Sequence, residues 1–592
     1  MSSDDDDDDD DRIKKDRIRT TGRNNHSNNS NNDQRNIIIL SDKIEEATNK
    51  HILHAHLNNY NSNRIDNRSC NDDAEKILSN EFNRLSINKR TEVQEEVHGV
   101  HCLAVDETPA LLINSLQQLA MELNDDTKIP PSQKGAYLLS QERQQQFPSK
   151  QYFVGSDEFR LMYIRRELFD IKKAALCFVE ALEFLLDVYG EIAFERKITL
   201  QDFTPTEINI MKKGYVQVLP NRDRSGRRII MLYVAEISNN VDLVIRHKIG
   251  FYLSLCCAND IEDQRKGNVY IWWFDNKNIF QLHPSTYFRG KNSRKISDFT
   301  PVRSASLHFC ASESPFFQLV KTIFIAKADS NTRVRLNFNF GEYLEVQYLL
   351  LGFGIPVDCL PITGSGKIKT ENMKRFIRGR SYIESTLYED EENKRLSVVD
   401  VPYLTDILIK KGLVALHQYG NIRFRCIVQS IYIRHHSRAQ QQQQETNSNN
   451  NYSPKVPPYN VSLTSLIPEI INEIKRENLR VLFWNQTESW WNLLYDEKEF
   501  NSSIYQRVNY LVKGARFISL VSKLNNQKPR QQQVCHSDTS IFQSQDGKKR
   551  KRLTDSTNDN NNSNKDICSI NACFGMSFFP TGTEKINYEH FQ

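Results

Sequence analysis

Hydrophobic positions are unevenly spread along this chain. From Asp157 onward, Ile164, Leu168, Ile171, Ala175, Phe178, Leu182, Leu185 and Tyr189 recur at spacings of three and four, which sets them on one helical face. The turn signal Asp223-Arg224-Ser225-Gly226 precedes a long apolar run, Ile229–Ile237, which reads as a strand buried on both faces. Leu243–Asp263 reads as helix, with Gly267 as its stop. Val269–Phe274 is then a second strand, Ser304–Cys310 a third, and the alternating Val334, Leu336, Phe338 and Phe340 a fourth. Pro315–Lys327 and Glu342–Leu351 read as helices. Strands alternating with helices predict an α/β fold with a largely parallel sheet. It closes near Gly366.

The flanks read differently. Residues 1–36, with a run of aspartates and an Asn/Ser tract, are expected to form a disordered tail, and residues 37–150 a poorly ordered region with isolated helices at best. After a charged linker, 388–394, a second small and mainly α domain is expected over 401–516, split by a Gln/Asn insert at 440–451. Residues 525–592 return to Asn, Gln and Lys and read as a second disordered tail. Hydrophobic residues make up 39% of the 592, and even with 22 glycines this falls short of the ~45–50% of globular chains. The deficit lies in the polar tracts, so two folded domains are expected.

Charge and cysteine usage exclude several classes. A net charge of +4 gives no field that singles out nucleic acid. The eleven cysteines include no CxxC pair, so neither a zinc site nor a secreted disulfide framework is indicated. No secretory signal opens the chain, and no apolar run approaches the ~18 residues of a membrane span. An intracellular, soluble protein without metal or cofactor is the expectation.

Residues 157–366 carry an ordered series of short matches. They are Phe159-Arg160 to Ala174, Asp223-x-x-Gly226-Arg227, Gly267 before Val269–Ile271, Pro301-Val302-Arg303, Leu307-His308, Ser314-Pro315-Phe316-Phe317, and Leu360-Pro361 through Gly364. In that order they resemble the CRAL-TRIO family of lipid-binding proteins. The resemblance implies a helical N-lobe and a sheet enclosing a cavity for one lipophilic molecule or phospholipid over 157–380. It makes Phe316, Phe317, Val320, Phe324 and Ile325 the pocket wall on a lid helix. Arg303, Arg333 and Arg335 become candidates for a headgroup phosphate. Departures at Val302, Trp272-Trp273 and Gly364-Ser365 remove the inositol-specific features. Residues 405–516 resemble a domain of unknown function abundant in algal proteins, through Thr405-Asp406-Ile407-Leu408, His417, Gly420-Asn421, Phe424-Arg425 and Trp490-Trp491. His417 and Arg425 are candidates to hold a bound group, Gly420-Asn421 reads as a turn, and the domain is expected to meet an unknown protein partner.

Two basic clusters carry further expectations. Lys367, Lys369, Lys374, Arg375, Arg378 and Arg380 follow the sheet domain and suit docking on an anionic membrane surface. Lys548, Lys549, Arg550, Lys551 and Arg552 suit nuclear import. Gly364-Ser365-Gly366-Lys367 departs from a phosphate loop at Pro361 and Ile368, and His435-His436 has no metal-binding pattern around it. No nucleophile–base pair stands out, so a non-enzymatic lipid carrier or sensor is expected. The alternative is a nuclear scaffold with a vestigial pocket.

Overall fold

A short strand and the turn Asp223–Arg227 open the central sheet of the computed structural model, in which residues 67–274, 296–385, 396–410, 418–448, 462–494 and 497–513 are described. The expected tails, the linker 388–394, His417 and the basic run 548–552 lie outside the described residues. The sheet holds β1 (Val216–Val218), β2 (Arg228–Tyr233), β3 (Asn268–Trp273), β4 (Ser304–Ala311) and β5 (Leu336–Phe340), ordered as in the sequence. β1 runs antiparallel to β2, and β2 to β5 are parallel. The mixed α/β class is as the alternation predicted.

Strand alternation splits the apolar residues between two faces. Ile229, Met231, Tyr233, Val269, Ile271, Trp273 and Cys310 pack with Val346 and Leu350 on one side. Trp272, Phe309, Phe338 and Phe340 face the other side. The apolar run after Gly226 changes course at Val234, where the strand gives way to a short helix, Val234–Asn240.

The helices before the sheet exceed the expectation for 37–150. They are α1 (Asn67–Arg84), α2 (Ile87–Val97), α3 (Pro109–Asn124) and α4 (Gly135–Gln146). Ser86 and Thr108 cap α2 and α3 through side-chain oxygens that accept N–H bonds from the first turn. Leu119, Leu123, Ala136 and Tyr137 join one core with Phe159, Tyr163, Phe178 and Phe251. Isolated helices of this length are marginal in water, and burial against longer partners stabilises them here. The helical face expected from 164 to 189 is two helices, α5 (Asp157–Arg166) and α6 (Ile171–Tyr189). Between them Leu168 and Phe169 take positive φ of 51° and 66°, and Asp170 caps the second helix. Beyond the sheet crossover come α7 (Leu243–Cys257), α8 (Pro315–Lys327), α9 (Tyr343–Gly352) and α10 (Glu371–Ser385).

The second segment corrects the mainly α expectation. It is helix-rich, yet β6 (Leu396–Val399), β7 (Ile407–Ile409), β8 (Val481–Asn485) and β9 (Trp490–Leu494) form a sheet in the order β6-β9-β8-β7. Helices α11 (Tyr419–Ser448), α12 (Leu463–Arg476) and α13 (Glu497–Lys513) accompany it. On α12, Leu466, Ile467, Ile470, Ile471 and Ile474 form one stripe that packs on Phe424, Ile427, Val428, Ile431, Ile504 and Val508. The Gln-rich stretch expected as a loop continues α11 as far as Ser448, which suits the good helix propensity of Gln. Gly420-Asn421 is the first turn of α11 rather than a free turn. A Cβ at Gly420 would lie 2.0 Å from the Asp406 carbonyl oxygen. Asn421 brackets the backbone of Leu408, its Oδ1 accepting from the N–H and its Nδ2 donating to the C=O.

Candidate functional site

Three of the five residues expected to line a lipid pocket pack in one aromatic cluster. Ser314 caps α8, whose Phe317, Val320 and Phe324 lie against Trp272, Phe274, Phe309, Phe338 and Phe340. The rings are layered: Phe274 stacks on Phe309 at 4.2 Å, and Phe324 meets Trp272 at 4.8 Å. Ile325 is buried but is not part of that cluster, and the Phe316 side chain lies outside the described residues. On its outer side α8 meets α1, with Lys321 paired to the exposed Glu75.

The three candidate phosphate-binding arginines are placed in internal pairs, not at a pocket mouth. Arg303 is buried and makes two hydrogen bonds to Glu96, at 2.9 and 2.5 Å. Arg335 reaches the same carboxylate at 3.7 Å. Arg333 donates to the carbonyls of Ile325 and Ala326 and to Glu81. Burial raises the Glu96 carboxyl, but Arg303, Arg335 and the Leu103 N–H together hold it below its ordinary value. Glu96 was not singled out from the sequence, because a lone Glu on a polar helix reads as a solvated side chain.

The basic run from Lys367 to Arg380 divides. Lys367, Lys369 and Arg378 are exposed, and Lys374 pairs with Glu371 at 2.8 Å. Arg380 points inward to Glu384 (3.1 Å) and Asp400 (3.3 Å). Glu384 also accepts from the Tyr252 hydroxyl and the Leu200 N–H, both at 2.7 Å. Arg375 is half-buried with its guanidinium 5.8 Å from the centre of the Trp484 ring.

That ring borders a cavity of about 220 Å³ between α10 and the second sheet, lined among others by Arg375, Gly379, Asp400, Trp484, Trp490 and Trp491. Trp490-Trp491 were legible as a pair, but their meeting with α10 joins segments more than a hundred positions apart, which no local pattern reveals. Below the cavity, Tyr403 is held between Arg222 at 4.4 Å and Arg480 at 4.1 Å. Arg222 is ion-paired to the buried Asp263, and Arg480 to Asp406.

Other candidates resolve simply. Ser306 Oγ lies 3.1 Å from His308 Nε2 inside the sheet, and burial, with the Arg227 charge, pushes His308 down to about 3, so it is a neutral core imidazole. His435 pairs with Glu469 at 2.7 Å. Among the described residues no group of three or more His, Cys, Asp or Glu could hold a metal, and no helix is long and apolar enough to cross a membrane. Gly364–Lys367 forms a surface turn closed by the Ile362–Ile368 bridge. In comparisons with known proteins, no family model matches the chain and no curated protein matches it.

Proposed function

We propose that this chain binds an apolar, lipid-like molecule without catalysis, beneath α8, and that it does so at an acidic membrane surface. The observation that carries the reading is the aromatic layer on β3, β4 and β5 that α8 lies against. Five aromatic side chains at three adjacent strands offer a broad apolar floor, with one cation at it, Lys321, whose Nζ lies 5.3 Å from the centre of the Phe338 ring. The cover also packs along α1, where the mostly buried Lys321 pairs with the exposed Glu75. A long acyl chain taken up there would gain ~0.8 kcal/mol for each CH₂ it buries, offset by the ring contacts it displaces.

The CRAL-TRIO resemblance adds support at the level of topology. The Asp223–Arg227 turn joins β1 to β2, and the helix after β4 is the one assigned as lid. The surface adds support of its own kind. α9 exposes Leu344, Tyr348 and Leu351 at spacings of four and three, with relative exposures of 63%, 74% and 51%. The turn bearing the exposed Lys367 and leading to Lys369 abuts the start of α9, where the Tyr343 hydroxyl donates to the Ile362 carbonyl. Apolar side chains with lysines nearby suit the boundary of an acidic bilayer, an attraction that the exposed Glu342 and Glu345 at the start of α9 reduce.

The test is native mass spectrometry of the full chain, together with uptake of a fluorescent acyl lipid from vesicles. An apolar molecule of stoichiometric mass and saturable uptake are expected. Neither appearing would make the aromatic layer a packed core and nothing more.

A further inference from the structure

The cavity between α10 and the second sheet has the composition of a binding site, and it is separate from the layer beneath α8. Three indoles, from Trp484, Trp490 and Trp491, line it. Two cations lie near the Trp484 ring: Lys410 Nζ at 4.2 Å and the Arg375 guanidinium at 5.8 Å. Among the described residues neither cation has a carboxylate within ion-pair distance. Arg375 is hydrogen-bonded to the neutral Asn372 side chain at 2.9 Å. The one acidic lining residue, Asp400, is already engaged by Arg380. The cavity therefore has aromatic walls and one cation in its lining, Arg375, without a carboxylate partner, while Lys410 lies against the Trp484 ring without lining the cavity.

Gly379 gives the second observation. It sits in the middle of α10, where glycine costs about 1 kcal/mol relative to alanine. A Cβ there would meet Val398, Trp490 and Asp400 at 3.7, 3.9 and 4.0 Å, which is ordinary contact. No close approach requires the glycine. Its effect is to leave the helix wall of the cavity open.

Size and charge together narrow the occupant. Drug-sized ligands fill roughly 300–1,000 Å³, and a cavity of roughly 150 Å³ holds benzene. The volume here lies between, enough for a fused ring with a short substituent. We infer that the cleft between α10 and the second sheet binds a small aromatic carboxylate, its ring stacked among the indoles and its acid group facing Arg375. Burial and the neighbouring Arg378 lower the Arg375 pKa, which an anion in the cleft would reverse.

The experiment is calorimetric titration of the full chain with 1-naphthoate and with its neutral amide, 1-naphthamide. Naphthoate should bind, and the amide about tenfold or more weaker, as expected when a charge-assisted hydrogen bond is lost. Arg375→Gln should weaken naphthoate by a similar factor, Lys410→Gln should weaken it less, and Gly379→Leu should abolish its binding. Arg375→Lys, which keeps the charge, should retain more binding than Arg375→Gln, and the comparison of acid with amide on the unaltered chain remains informative should a variant melt early. No heat with naphthoate in millimolar excess, equal affinity for acid and amide, or indifference to Arg375→Gln would each overturn the assignment.

Discussion

Glu96 on α2 and Arg303 at the start of β4 meet through two hydrogen bonds although 207 positions separate them in sequence. Both are buried, and Arg335 shares the carboxylate. Removing one member of such a pair leaves an uncompensated buried charge. Glu96→Ala should therefore cost about 3–5 kcal/mol in urea unfolding. The pair also sets an acid dependence. The folded pKa of Glu96 lies below its ordinary 4.5, so the stabilisation is complete above that value and is lost as pH falls through the folded pKa. Asp263, held below 3.8 by Arg228 and Arg222 despite the opposing effect of burial, acts in the same direction. Urea midpoints should be flat from pH 7 to near 5 and fall below about 4.5. Unchanged stability at pH 3 would contradict this.

Gly420 should not tolerate even a methyl group. Alanine normally stabilises a helix over glycine, but here its Cβ would lie 2.0 Å from a backbone oxygen. The clash decides the sign, and Gly420→Ala should destabilise by about 1–3 kcal/mol. Thermal melting of the full chain would show it. Asn421→Leu should also destabilise, by leaving the Leu408 N–H and C=O unpartnered.

Tyr403, between Arg222 and Arg480, couples the second segment to the first sheet's surroundings. Each buried cation–π contact contributes about 0.5–2 kcal/mol, so Tyr403→Leu should lower the melting temperature by several degrees. Protection of the amides of 401–409 against hydrogen exchange should fall more than that of β3 and β4. Equal losses would mean the ring has no local role.

Charge reversal within the basic run should sort its members. Lys367→Glu, Lys369→Glu and Arg378→Glu together should change stability by under about 0.5 kcal/mol, since these side chains are exposed. Binding to phosphatidylserine vesicles at low salt should drop, and Leu344→Ser with Tyr348→Ser should drop it further. Arg380→Ala should instead destabilise by about 3–5 kcal/mol, because Glu384 and Asp400 lose their buried partner. Undiminished vesicle binding by the triple variant would remove these residues from the docking surface.

The α/β body was legible because its strands are apolar for reasons of burial, and apolar runs between turn signals are what a sequence displays most plainly. Pro315–Lys327 is a helix over the residues its Ser-Pro start and apolar face predicted. The α2 to β4 ion pair was not legible, since Glu96 and Arg303 acquire meaning only from each other. β7 is three residues long and β6 four, too short for a period of two to register, so the second sheet stayed hidden among helices. The cleft was hidden for the same reason as the ion pair. Arg375 belonged to a run of positive charge that read as one surface, and only the helical turn of α10 separates the side chains facing Trp484 from those facing solvent.

α10 belongs to two interiors at once. Met373, Phe376 and Ile377 enter the core of the first body, while Arg380 reaches Asp400 and Gly379 borders Trp490. A protease cutting anywhere within 386–395 would break the chain without parting these contacts. The cleaved protein should elute from a sizing column at its original volume and fall into two pieces only in denaturant. Genes encoding either half alone would then yield a protein with a raw face, and the two halves expressed together would find each other.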